Sequence, residues 1–221
     1  MINQSIKFFT IFLLVFNVFA GGDDRDKQYY EALDEELASF EAQLAEDLAN
    51  QAALEAFEKK LANQVALEAS ASNNYLAMAS WCEVTGYQGA ANYFYAQSDE
   101  ERTHLLKVVH YLNALGAVAT IPAIKSPVSF YKSLEGLIKT ALKNEQTVTT
   151  AIHKMVEIAQ KEKDHSTYAF LEWFVNEQVQ EETKFETILQ KFDLLGRDKL
   201  GINEIDKFLA VEASAPSEPT V

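Results

Sequence analysis

A single cysteine, Cys82, stands in a chain of 221 residues. One thiol can make neither an internal disulfide framework nor a thiolate metal cluster, so Cys82 reads as a small buried apolar residue. Glycine and proline are scarce, at 8 and 4 residues, while Ala, Leu, Glu and Lys abound, which is a helical composition. Positive charge is short as well: 19 basic residues face 33 acidic ones, for a formal charge of −14. That balance speaks against nucleic acid and anionic membranes, where basic patches supply the affinity. It fits a soluble surface or an attraction for cations. The one long apolar run, FFTIFLLVFNVFA, lies inside residues 1–20 behind Lys7. It falls short of the roughly 20 apolar residues that a spanning helix needs. With small residues at its boundary it reads as a cleaved secretory signal, leaving no membrane contact afterwards and an exported protein.

What remains is organised by helical periodicity. Residues 23–85 contain no glycine or proline, and Leu33, Leu37, Phe40, Leu44 and Leu48 mark an acidic amphipathic helix. This helix either runs on into the next or folds back as a hairpin. Gly86 closes the region, and a second periodic stretch, 88–115, is closed by Gly116. A third helix follows Ser133 and ends near Lys161; Asp164 caps a fourth that ends near Leu195. A short fifth covers about 202–209, and the proline-bearing stretch after it, VEASAPSEPTV, reads as a disordered tail. Between the second and third helices, residues 117–132 carry Pro122 and Pro127 and little helical pattern. Extended, they cover roughly 50 Å, against about 42 Å for the helix before them. The connection can therefore return along the whole bundle and leave helices two and three parallel. An all-α four-helix bundle with one long crossover is the ferritin-like topology.

Steps of three and four along each long helix give its core stripe. The first reads Leu61, Gln64, Glu68, Ala71, Tyr75, Met78, Cys82, and the second Ala90, Phe94, Gln97, Glu101, His104, Val108, Tyr111, Leu115. The third reads Leu134, Ile138, Ala141, Glu145, Val148, Ile152, Met155, Ala159, and the fourth Leu171, Phe174, Gln178, Glu181, Phe185, Ile188, Phe192. One polar residue in such a stripe is ordinarily a boundary position. Here every stripe carries a glutamate near its middle, and no Lys or Arg falls on any of them. A buried, uncompensated carboxylate costs several kcal/mol, so other positive charge is required, and two divalent cations would supply it. Carboxylates with one imidazole and no thiolate suit iron or manganese, with zinc also open. Glu101 and His104, at i and i+3, reach one metal from one helix face.

A near-repeat, LANQAALEAFEKKLANQVALEA, sets Glu55 against Glu68. Thirteen residues turn a helix by about 220° beyond whole turns, so the two face different sides. Glu68 shares its stripe with Tyr75, seven residues on, whereas Glu55 reaches only Ala62. Glu68 is expected in the site and Glu55 in solvent.

The stretches LEASASNNYLAMASWC, SDEERTH, KNEQTVTTAIHKM and FLEWFVNEQVQEE make residues from about 59 to 209 resemble a bacterial-type non-haem ferritin. The resemblance implies a first iron held by Glu68, Glu101 and His104, and a second held by Glu145 and Glu181, with Glu101 bridging. Gln178 would line the centre and Tyr75 would stand beside it as hydrogen-bond and electron donor. It further implies two irons per chain, oxidation of Fe(II) by dioxygen, ferric mineral inside a hollow shell of 24 subunits, and a fourfold pore lined by the fifth helix. A third iron near Glu100, Glu177 and residue 180 is weakened because Gln180 replaces a carboxylate. Arg102 stands where a haem-ligating methionine would follow the helix-two glutamate, so no haem is expected. Lys184, three residues after Glu181, departs from diiron enzymes with a second E-x-x-H. The chain thus divides into a signal peptide (1–20), an acidic helical extension (21–58), a diiron domain (59–210) and a tail (211–221). Competing readings are a non-catalytic store for divalent metal and a helical scaffold recruiting a partner through 23–58. The family is usually cytoplasmic, which conflicts with the leader.

Overall fold

The computed structural model describes residues 24–214. Among them are five helices and no strand: α1 (Asp24–Thr85), α2 (Gln88–Ala114), α3 (Leu134–Lys161), α4 (His165–Leu195) and α5 (Lys199–Glu212). The expected signal segment and the last seven residues of the expected tail lie outside the described residues; the remainder of that tail begins inside α5. The chain divides into two compact units, 1–52 and 53–221. In the first, Leu33, Leu37 and Leu44 are half-buried, whereas Phe40 and Leu48 of the same stripe are exposed. The second holds everything that follows.

The helix starts follow from short acceptors. Ser133 Oγ accepts from Gly136 N at 3.1 Å, and Asp164 Oδ1 accepts from Thr167 N at 3.0 Å. Asp198 Oδ1 accepts from Gly201 N at 2.8 Å, which starts α5 three residues earlier than its periodicity suggests. Tyr87, the N-cap of α2, offers no side-chain cap. Its place is taken by Asp206 of α5, whose carboxylate accepts from Gly89 N at 3.1 Å and Ala90 N at 2.8 Å. An acid at the positive end of a helix satisfies donors that have no partner within it. Gly196 ends α4 with φ of 84°, a backbone conformation that costs glycine little.

Contacts between helices fix their directions. Tyr111 meets Thr167 at 2.8 Å and Lys184 meets Glu100 at 3.3 Å, so α2 and α4 run antiparallel. Arg197, just past α4, reaches Glu135 near the start of α3, and Gln178 reaches Glu145, so α4 and α3 are antiparallel too. α2 and α3 are therefore parallel, joined by the irregular 117–132 crossover as its length suggested. Tyr131 anchors the end of that crossover edge-on against Trp81, at 5.7 Å between ring centres. No helix among the described residues is long and apolar enough to cross a membrane.

Two apolar clusters fill the bundle. One includes Tyr75, Met78, Phe94, Ile138, Phe185 and Phe192; the other includes Leu61, Val65, Val108, Ile152, Leu171 and Phe174. Along each of α1 to α4 the glutamate falls between them, so the site is a polar layer sealed at both ends by hydrocarbon. The expected stripes are buried throughout α1, α3 and α4. In α2 the stripe fails at its far end: Leu112 is buried, Tyr111 is half-buried and Leu115 is exposed. A seven-residue repeat drifts about 20° per heptad against a straight helix, about 60° over the three heptads from Ala90 to Tyr111, which leaves Leu112 nearer the core line than Tyr111.

Candidate metal centre

Four helices each deliver one carboxylate to the polar layer. Glu68 (α1), Glu101 (α2), Glu145 (α3) and Glu181 (α4) are 1, 3, 1 and 0% exposed. Glu55, the twin of Glu68 in the repeat, is exposed. Glu68, Glu101 and His104 each offer a ligand atom, all within 4.8 Å of one another, and His104 Nδ1 stands 3.3 Å from Glu101 Oε2. Trp173 and Phe174 pack edge-on against the imidazole at 5.3 and 6.4 Å, holding its plane. On the other side of the layer, Tyr75 donates its hydroxyl to Glu145 Oε1. Gln178 Nε2 donates to Glu145 Oε2 at 3.2 Å and to Thr149 Oγ1 at 3.2 Å.

Burial governs the electrostatics. It raises the Glu68 carboxyl well above the usual range, and neighbouring Glu101 pushes it further. Glu101 is raised by burial and then by Glu145. Glu145 rises by burial although Tyr75 and Gln178 stabilise its anion. Glu181 is lifted by burial to about 7 against the opposing pull of Lys184. Tyr75 is held neutral, first by burial and then by the charge of Glu145. Removed from water and set against like charges, these acids await positive charge.

Part of that charge comes from a residue outside the core stripes. Lys184 Nζ sits 2.7 Å from Glu181 Oε1 and 3.3 Å from Glu100 Oε1. Burial works against its charge, but Glu181 and Glu100 more than offset this and hold the ammonium above its ordinary value. The absence of Lys and Arg from the stripes thus overstated the deficit. Lys184 lies at i+3 from Glu181, and its long stem carries the charge around the helix. That spacing was the signal for it. Three acids still lack a cation, and Glu181 Oε2 is buried with no hydrogen-bond partner. A buried acceptor left unmade costs about 1–3 kcal/mol. Hard oxygen donors with one imidazole, one donor idle, fit divalent iron, manganese or zinc.

Around this core the other expected residues take distinct places. Gln64 Nε2 donates to Glu68 Oε1 at 2.7 Å and so orients that carboxylate. Glu100 and Glu177 are half-buried and form a second triad with His104, again within 4.8 Å; His104 Nε2 is 3.9 Å from Glu177 Oε1. Gln180 is exposed and stands outside that triad. Thr149, which sequence reasoning passed over, ties Gln178 to Glu182 through its hydroxyl. Arg102 is exposed.

A crossover bundle with carboxylates from four helices and one E-x-x-H defines a metal-binding protein of the ferritin-like class. The profile of the ferritin-like domain matches residues 58–195, well over half of the chain, and the chain belongs to this family, among its bacterial non-haem ferritins. It is 41% identical over 151 residues to a probable bacterial non-haem ferritin-like protein of Haemophilus influenzae, covering 68% of this chain and 92% of that one. It is 38% identical over 146 residues to a bacterial non-haem ferritin of Staphylococcus haemolyticus, covering 66% and 88%. Among solved structures it is similar to an open-pore ferritin from the hyperthermophilic archaeon Archaeoglobus fulgidus. There the TM-score is 0.69 and the identity 34%, over 71% of this chain and 96% of that one.

Proposed function

We propose that this chain is an iron-storage ferritin whose bundle oxidises Fe(II) with dioxygen before storing it. The observation that carries the reading is the sealed layer of four buried carboxylates and His104, served among the described residues by one ammonium. Iron is the substrate. Glu68, Glu101 and His104 would bind one Fe(II), Glu145 and Glu181 a second, with Glu101 between them. Two Fe(II) give up two of the four electrons that dioxygen takes on its way to water, and Fe(II) arriving later supplies the rest. The carboxylates favour the ferric product because it carries more positive charge to neutralise. Phe94, Phe174 and Phe185, all buried, limit water around the reacting pair. Tyr75 keeps its proton, directed at Glu145 Oε1, and is placed to lend an electron. The second site, with no histidine, binds more weakly and releases its ferric ion first.

Storage calls for assembly, and we infer a closed shell of 24 copies with α5 lining its fourfold pores. Exposed apolar side chains at Val118, Ile121, Val128 and Phe130 on the crossover, with Leu194 and Leu200 near α5, are surface that such packing would cover. On this reading residues 59–210 are the diiron domain, and the leader would place the store outside the cytoplasm. Aerobic oxidation of Fe(II), two per chain, by protein lacking residues 1–20 tests the activity beside Glu101→Ala. Rapid oxidation lost in the variant supports a ferroxidase. Oxidation matching the buffer in both leaves a redox-silent metal store.

A further inference from the structure

We propose that Lys184 is a tethered cation standing where a further metal ion would sit, and that it holds the centre to two ions per chain. The inference rests on the metal-centre reading above and concerns how many ions that centre accepts. Two triads meet at His104: Glu68 and Glu101 on one side, Glu100 and Glu177 on the other, each with ligand atoms within 4.8 Å. His104 faces the first with Nδ1 and the second with Nε2. Such a pair of triads invites an ion on each side, besides the one between Glu145 and Glu181.

The second triad is already engaged. Lys184 Nζ lies 3.3 and 3.4 Å from the two oxygens of Glu100 and 2.7 Å from Glu181. Gln97 Nε2 donates to Glu100 Oε2, so that carboxylate has both oxygens occupied by donors. The side chain of Lys184 is one-third exposed, at 33%, and its stem is anchored in α4, so the ammonium cannot diffuse away. An ion bound by Glu181 displaces Nζ from that carboxylate only. Nζ then stays with Glu100, where its charge repels any ion approaching Glu100 and Glu177. Gln180, exposed and uncharged, adds no anion there. The ammonium thus has two effects: it offsets charge in the empty bundle, and it denies Glu100 to metal in the loaded one.

The test counts ions without asking for turnover. Zn(II), and Fe(II) under anaerobic conditions, are titrated into the full chain and into Lys184→Met, Lys184→Arg and the double variant Lys184→Met/Glu100→Gln. The expected tight stoichiometries are two, three, two and two, because the extra ion needs both the missing ammonium and the Glu100 carboxylate. A count of two in Lys184→Met, or of three in the unaltered chain, overturns the proposal. Should Lys184→Met fail to fold by circular dichroism, Lys184→Gln is counted in its place against the same expectation. An unaltered chain that binds no divalent ion would instead sink the metal centre itself, so the two failures are told apart by the unaltered chain alone.

Discussion

Glu101→Gln should make the metal-free protein more stable and the metal-loaded protein less so. Glu101 is 3% exposed, and its carboxylate lies within 4.8 Å of ligand atoms on Glu68 and His104. Glutamine keeps the shape and removes the charge. Two unit charges 4.8 Å apart at an effective dielectric constant of 20 repel by roughly 3 kcal/mol, and protonation of one acid relieves part of this. A net gain of about 2 kcal/mol is therefore expected for the metal-free variant, or about 4–8 °C in unfolding temperature for a domain of this size. The loaded protein reverses the order. A divalent ion at a hundred times its Kd adds about 2.7 kcal/mol per site, and a variant without the shared ligand forfeits most of that. Thermal unfolding with chelator, and again with excess redox-silent Zn(II), reads both arms. The gain should grow with pH. Between the ordinary carboxylate value and the raised values in the fold, about 7 for Glu181, the folded chain holds protons that the unfolded chain has released. Its stability therefore falls as pH rises through that window, and the variant has one acid fewer to lose. If Glu101→Gln unfolds earlier than the unaltered chain with chelator present, the buried carboxylates are not in deficit and the argument from burial fails.

Four further outcomes are expected. Tyr75→Phe removes the hydroxyl that Glu145 accepts from; it should cost about 1 kcal/mol, leave the count of bound Zn(II) unchanged and slow Fe(II) oxidation, and oxidation at full rate would remove Tyr75 from the mechanism. Asp206→Ala removes both side-chain bonds to the first amides of α2 and should cost roughly 1–2 kcal/mol, read as faster hydrogen exchange at Gly89 and Ala90. At Gly89 itself an added Cβ would fall 1.9 Å from the Asp206 carbonyl oxygen, so Gly89→Ala should be the more damaging of the two, and a milder effect would refute that close approach. Glu135 is held down to about 2 by Arg197 and then Lys139, so its contribution is complete above the ordinary carboxylate value and is lost as pH falls towards 2. Arg197→Gln should flatten the acid-side loss of stability in that window, and an unchanged slope in acid denaturation would show the pair to be idle.

Periodicity carried most of the fold because the bundle is built from long, single-purpose stripes. Three of the four stripes are buried at every expected position, and in the fourth a helix drifting against a seven-residue repeat moved Leu112 into the place assigned to its neighbours. The carboxylate layer was legible for the same reason: a charge in an apolar stripe is visible in one dimension. Lys184 was legible only by its place three residues after Glu181 and not by its charge, which a lysine projects some 6 Å from its backbone and so off its own stripe. Asp206 escaped for a different reason, capping a helix more than a hundred residues away in the chain. Asp206 completes a group on another element and leaves no local pattern, whereas Lys184 pairs with Glu181 three residues before it and only its reach to Glu100 on α2 has no local sign. Glutamates on the stripes are confined by burial, and each must be answered by positive charge; a lysine reaching in from beside the stripe can come or go by one substitution without touching the core. If Lys184 limits the count as proposed, the number of ions held is set by a residue at the margin and not by the ligands alone.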